Sequence, residues 1–180
     1  CFGKSSQIIF SIIKQNVCTA EDSIPGSGGI LEVPCGRGKT VMALKIISIL
    51  QKKTLIIVHK EFLMTQWIER INEFLPGTRI GKIQGGTFDV DNKDIVIGMI
   101  QTIYDKEYPS NAFSSFGLTI VDEVHRIGSE QFSRTLFKTI TPYMLGISAT
   151  VERKDKLTKV LFMFIGERIY NEARNDDDPV

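Results

Sequence analysis

The stretch Pro34-Cys35-Gly36-Arg37-Gly38-Lys39-Thr40 has the residue types and spacing of a phosphate-binding loop. It stands between an apolar, strand-like run and a helical pattern, the setting such a loop requires. Gly36 and Gly38 let the backbone turn tightly, so that successive N–H groups converge on an anion. A helix starting near Lys39 adds its positive end. Lys39 would then reach the β- and γ-phosphates of ATP, and the Thr40 hydroxyl would ligate Mg²⁺. The general pattern has a glycine five residues before Gly38, where this chain has Val33. A Gly-rich turn before a helix is the plainer reading, and the Lys-Thr pair argues against it.

A second group lies about eighty residues on. Leu118-Thr119-Ile120-Val121 is an apolar strand pattern that delivers Asp122 and Glu123 at its C-terminal end, followed by Val124 and His125. In a parallel sheet that end faces the crevice where ligands bind. Asp122 would hold Mg²⁺, directly or through water, and Glu123 would orient and deprotonate an attacking water. Without a phosphate loop upstream, the pair would read as an acidic turn closing a strand. His125 has two readings, a member of a nucleotide-responsive hydrogen-bond network or a surface histidine. Ser148-Ala149-Thr150 closes the last apolar strand pattern. Its hydroxyls could bond the acidic group in one nucleotide state and release it in another. Trp67 sits at helical spacing with Leu63 and Ile71, so core packing is favoured over base stacking.

The elements that must position these residues alternate along the chain. Strands rich in Val, Ile and Thr are expected at 29–33, 54–58, 80–84, 95–100, 118–122 and 143–148, and amphipathic helices at 7–16, 39–51, 61–74 and 131–138. Alternation of this kind predicts an α/β fold with a doubly wound, mostly parallel sheet, and strands this apolar need helices on both faces. The segments 22–29 and 106–115 read as loops within the domain. Residues 171–180 are polar, carry three successive aspartates, and read as the start of a linker.

The 180 residues suit one domain, assigned to 1–170, with 42% apolar and 24% charged residues. Apolar runs fall far short of the ~20 residues of a membrane span. With no membrane partner and no secretory signal, a soluble, intracellular protein is expected. Cys1, Cys18 and Cys35 form no paired spacing, as in a reduced thiol set. A net charge of +1 neither supports nor excludes a nucleic-acid partner, which needs only a local basic stripe.

Taken together, the GRGKT loop, the DEVH box and the SAT tripeptide resemble motifs I, II and III of the superfamily two helicases, whose DEAD- and DEAH-type members carry two RecA-like domains. The segments 31–40, 58–67 and 145–150 are similar to the branch of transcription-repair DNA helicases and the helicase-like transcription factors of large DNA viruses. Val151 stands where that family usually has proline. The resemblance covers nearly the whole chain but only the first RecA-like domain. It implies a P-loop three-layer sandwich, ATP and Mg²⁺ as cofactors, DNA rather than RNA as the strand, and a second RecA-like domain as partner. It also implies that Gln7 reads adenine, that residues 34–40 cradle the phosphates, and that His125, Ser148 and Thr150 couple nucleotide state to the strand. Lys60, Glu61, Gly86, Gln101 and Thr102 fall where the family grips a nucleic-acid backbone. Gly85-Gly86 reads equally as a hairpin-like turn, and Thr102 as a helix cap. Two alternatives stand beside the motor: an RNA helicase domain, and a nucleotide-gated binding module without turnover of its own.

Overall fold

The computed structural model describes residues 27–34, 36–124, 129–149 and 158–171. The helix expected over 7–16 and the linker residues 172–180 lie outside these, as do Gln7, Cys35, His125 and Thr150. The strands are β1 (Ser27–Glu32), β2 (Thr54–Val58), β3 (Ile80–Gln84), β4 (Thr87–Phe88), β5 (Ile95–Met99), β6 (Leu118–Asp122), β7 (Tyr143–Ser148) and β8 (Arg168–Asn171). They form one sheet in the order β4-β3-β5-β2-β6-β7-β1-β8. Every pairing is parallel except the β3–β4 hairpin. The helices are α1 (Lys39–Leu50), α2 (Glu61–Phe74), α3 (Ile100–Asp105), α4 (Ser129–Lys138) and α5 (Thr158–Ile165).

Residues of β2 are buried along its whole length because both faces of the sheet are covered. Its side chains alternate between two cores. Ile56 and Val58 join Ala43, Leu44, Met64, Trp67 and Ile71 from α1 and α2. Leu55 and Ile57 join Ile100, Ile103, Leu136 and Ile165 from α3, α4 and α5. Each such aliphatic side chain contributes roughly 1.5–3 kcal/mol over an exposed one. The chain order explains the layering. From β1 to β3 the chain steps toward one edge, and from β5 to β8 it steps back. Right-handed crossovers must therefore lay α1 and α2 on one face and the later helices on the other. The expected doubly wound α/β fold is the fold observed.

Several elements go beyond the sequence reading. The two-residue β4 pairs with β3 across Gly85-Gly86, with Gln84 opposite Thr87, so these glycines do form a hairpin turn. Helix α3 follows β5 without a break, and α5 and β8 extend the sheet past β1. At Gly28 an added Cβ would collide with the carbonyl oxygens of Met144 and Ile165, so glycine there lets the end of α5 approach the sheet. Among the described residues no helix is long and apolar enough to cross a membrane.

Candidate functional site

The C-terminal ends of β1, β7 and β6 lie side by side, with Glu32 paired to Ser148 and Asp122 to Ile147. The loop after β1 therefore opens beside the carboxylates after β6. Gly36 and Gly38 adopt φ of 81° and 80°, and both are exposed. That left-handed geometry is freely open only to glycine. The Arg37 N–H donates to the Pro34 carbonyl at 3.4 Å, and the first helical bond runs from Met42 N–H to the Gly38 carbonyl. No side chain caps α1 and no acidic residue occupies its first turn. The positive dipole end of the helix thus meets no side-chain cap and no acid, a setting that suits an anion.

Lys39 Nζ donates to Glu123 Oε1 at 3.1 Å, joining loop and acidic segment across 84 positions. The pair is largely covered, with side-chain exposures of 12% and 17%. Although Lys39 opens α1, its side chain is folded back over the sheet end by this charge-assisted bond. Glu123 has φ of 52°, a conformation that costs a non-glycine residue roughly 1–2 kcal/mol. The turn redirects its carboxylate off the strand and toward Lys39. Strain of this kind persists where surrounding structure enforces it.

Asp122 is only 8% exposed. Burial pushes its carboxyl above the ordinary value, a hydrogen bond from Trp67 opposes that shift, the neighbouring Glu123 charge adds to it and Lys39 opposes it. The Trp67 indole N–H donates to Asp122 Oδ2 at 2.8 Å. Trp67 is 2% exposed within the α1–α2 core, as its spacing predicted, but its hydrogen bond was not legible. A buried indole needs an acceptor, and that requirement was the available signal. Glu32 was also passed over. It lies at the end of β1, with Arg168 of β8 at 2.9 Å.

Thr40 is half-buried one residue into α1. With Asp122 it supplies hard oxygen donors of the kind Mg²⁺ takes. Among the described residues no group of three or more His, Cys, Asp or Glu is arranged to hold a metal. A cation here would need phosphate oxygens and water for the rest of its shell, which fits Mg²⁺. Ser148 is fully buried and lies on the strand next to Asp122.

A second surface forms at the ends of β2, β3 and β5. Gln84 Nε2 donates to Glu61 Oε1 at 3.1 Å, Gln101 Nε2 to the His59 carbonyl at 3.1 Å, and the Gly85 N–H to Thr102 Oγ1 at 3.1 Å. Lys60, Glu61, Gly86, Gln101 and Thr102 are thus held in one neighbourhood, all exposed except the half-buried Thr102. Thr102 is not a helix cap; it lies inside α3, whose N-cap is Met99. Lys60 is the N-cap of α2 and makes no side-chain capping bond.

Residues 10–153 match the family model described as "Type III restriction enzyme, res subunit". The chain is 35% identical over 155 residues to a protein named "Putative ATP-dependent RNA helicase" from Acanthamoeba polyphaga mimivirus, spanning 86% of this chain and 30% of that one. It is 38% identical over 147 residues to a "DNA 3'-5' translocase" of Sulfurisphaera tokodaii, spanning 81% and 32%. The chain therefore spans about a third of the length of these curated relatives. Among solved structures, the UvsW helicase of bacteriophage T4 superposes with a TM-score of 0.68 at 25% identity, covering 79% of this chain and 54% of that one.

Proposed function

Because the chain belongs to the family of the type III restriction enzyme res subunit, we propose that it is the first RecA-like half of an ATP-driven helicase or translocase acting on DNA. The observation that carries this reading is the 3.1 Å pairing of Lys39 with Glu123, which joins a phosphate loop to an acidic strand end. In the resting chain each residue neutralises the other. When nucleotide enters, Lys39 turns from Glu123 to the β- and γ-phosphates, and the positive end of α1 with the glycine-bearing loop before it holds the same anion. Thr40 and Asp122 would hold Mg²⁺, which would supply positive charge beside the phosphates. Glu123, released from Lys39, accepts a proton from the attacking water. Gln7 is assigned to the adenine, and Pro34, Cys35 and Arg37 complete the loop.

The surface of Lys60, Glu61, Gly86, Gln101 and Thr102 is assigned to one nucleic-acid strand. The uncapped start of α2 offers free N–H groups to a phosphate there. Ser148, with His125 and Thr150, would pass nucleotide state from the acidic strand end toward that surface. Residues 1–170 are assigned to this domain and 171–180 to the start of a linker to a second RecA-like domain.

Titration with a fluorescent ATP analogue tests the core of the proposal: the chain binds it, and more tightly with Mg²⁺. Single-stranded DNA binds weakly and without sequence preference, each phosphate contact adding about 0.7 to the salt slope. Absence of nucleotide binding, or strong base selectivity, refutes the assignment.

A further inference from the structure

We propose that Trp67 is a positioning residue for Asp122, its indole N–H holding one carboxylate oxygen so that the other meets the cation that accompanies nucleotide. This rests on the assignment of Asp122 to Mg²⁺ made above. The chain holds a single tryptophan, and it is packed among Leu44, Ile71 and the sheet rather than displayed on the surface. Hydrophobic volume alone would be served by phenylalanine. What indole adds is one N–H, a donor only, which when buried must find an acceptor. The acceptor is a carboxylate 55 positions away at the end of β6, at 2.8 Å.

That choice has consequences for the carboxylate. Asp122 is 8% exposed, so little water can solvate it, and each of its oxygens needs a protein or ligand partner. The carboxylate also accepts a backbone hydrogen bond from Glu123, and with Oδ2 committed to Trp67 as well, rotation would break charge-assisted bonds in a dry setting, so its plane is fixed. A cation, or water on it, is then met by Oδ1. Outer partners that orient a metal-binding side chain in this way typically contribute about 10–100-fold to metal affinity. The donor also comes from a rigid place, the middle of a fourteen-residue helix packed against the sheet.

The test measures Mn²⁺ binding to the ADP-bound chain by electron paramagnetic resonance, beside ADP affinity in EDTA. Trp67→Phe removes the N–H and part of the ring. 3-Benzothienylalanine installed at position 67 keeps the ring volume and removes only the N–H. The expected result is Mn²⁺ affinity about tenfold weaker in both variants, with unchanged ADP affinity in EDTA. A purely structural role would shift both affinities together or neither, and either outcome overturns the proposal. Asp122→Ala separates the two levels of inference. If it leaves Mn²⁺ affinity unchanged, the metal assignment itself fails. If it weakens Mn²⁺ binding while both Trp67 variants match wild type, only the role of Trp67 fails. The unaltered chain gives an independent readout through its single tryptophan. Mg²⁺ added to the ADP-bound protein shifts the indole emission, and no shift counts against the proposal.

Discussion

Lys39→Ala is the substitution whose effect the geometry sets most directly, because it removes a ligand-binding group and half of an ion pair at once. Lys39 and Glu123 are 3.1 Å apart with side-chain exposures of 12% and 17%. An exposed pair contributes about 0–1 kcal/mol, whereas stripping one partner from a fully buried pair costs about 3–5 kcal/mol. A mostly covered pair lies between, so Lys39→Ala should destabilise the nucleotide-free chain by about 2 kcal/mol. For a chain of this size that lowers the thermal midpoint by roughly 4–8 °C. Glu123→Gln should cost less, because removing its charge also relieves repulsion on Asp122. The double variant should be more stable than the sum of the singles predicts, by about 1 kcal/mol, since neither leaves an orphaned charge behind. Urea unfolding of the four proteins closes the cycle, and a parallel fluorescent-nucleotide titration follows binding. Lys39→Ala and the double variant should both lose nucleotide affinity, although the double variant regains stability. Additivity within about 0.3 kcal/mol would show that the pair does not couple, and the resting-state exchange proposed for Lys39 would fall with it.

Glu123→Gln should retain nucleotide binding and abolish turnover in the full-length protein, because an amide cannot act as a base; steady-state ATPase near wild type would remove Glu123 from that role. Gly38→Ala meets no atom within 4 Å but must hold φ of 80°, so it should cost about 1–2 kcal/mol of unfolding free energy from backbone strain alone and weaken nucleotide binding as the loop relaxes. An unaltered urea midpoint would contradict the loop geometry. Hydrogen bonds from the Arg79 side chain and backbone, opposed by slight desolvation and helped by the Arg79 charge, hold Asp94 down to about 2 from 3.8. A depressed carboxyl contributes stability that is present above its unfolded value and lost as pH falls toward the folded one. Asp94→Asn should therefore lower the unfolding midpoint at pH 6, with the deficit shrinking between about pH 4 and pH 2; a deficit independent of pH would exclude the ion pair as its source.

Much of the fold was legible because it follows from local pattern. The expected ranges for β2, β3, β6, β7 and α2 coincide with the observed elements. β2 and β6 are apolar runs rich in β-branched residues, α2 carries apolar residues at helical spacing, and β3 and β7 are short apolar patterns between polar or Gly/Pro punctuation. The elements that escaped lack such signals. α3 continues the apolar run of β5 with no breaker between Met99 and Ile100, and β4 is two residues long. α5 is apolar nearly throughout, so its period is obscured. For the site, residue types and order were enough to nominate Lys39, Asp122 and Glu123, since phosphate, cation and water each demand a particular functional group. Their local contacts were another matter. The bond of Lys39 to Glu123 spans 84 positions and that of Trp67 to Asp122 spans 55. Periodicity reports which way a side chain faces but not what it meets. Only the packing of α2 over β2 and β5, which carries Trp67 to the end of β6, turned an unremarkable core tryptophan into the partner of a buried carboxylate. Only the left-handed turn at Glu123 brought its carboxylate back over the phosphate loop.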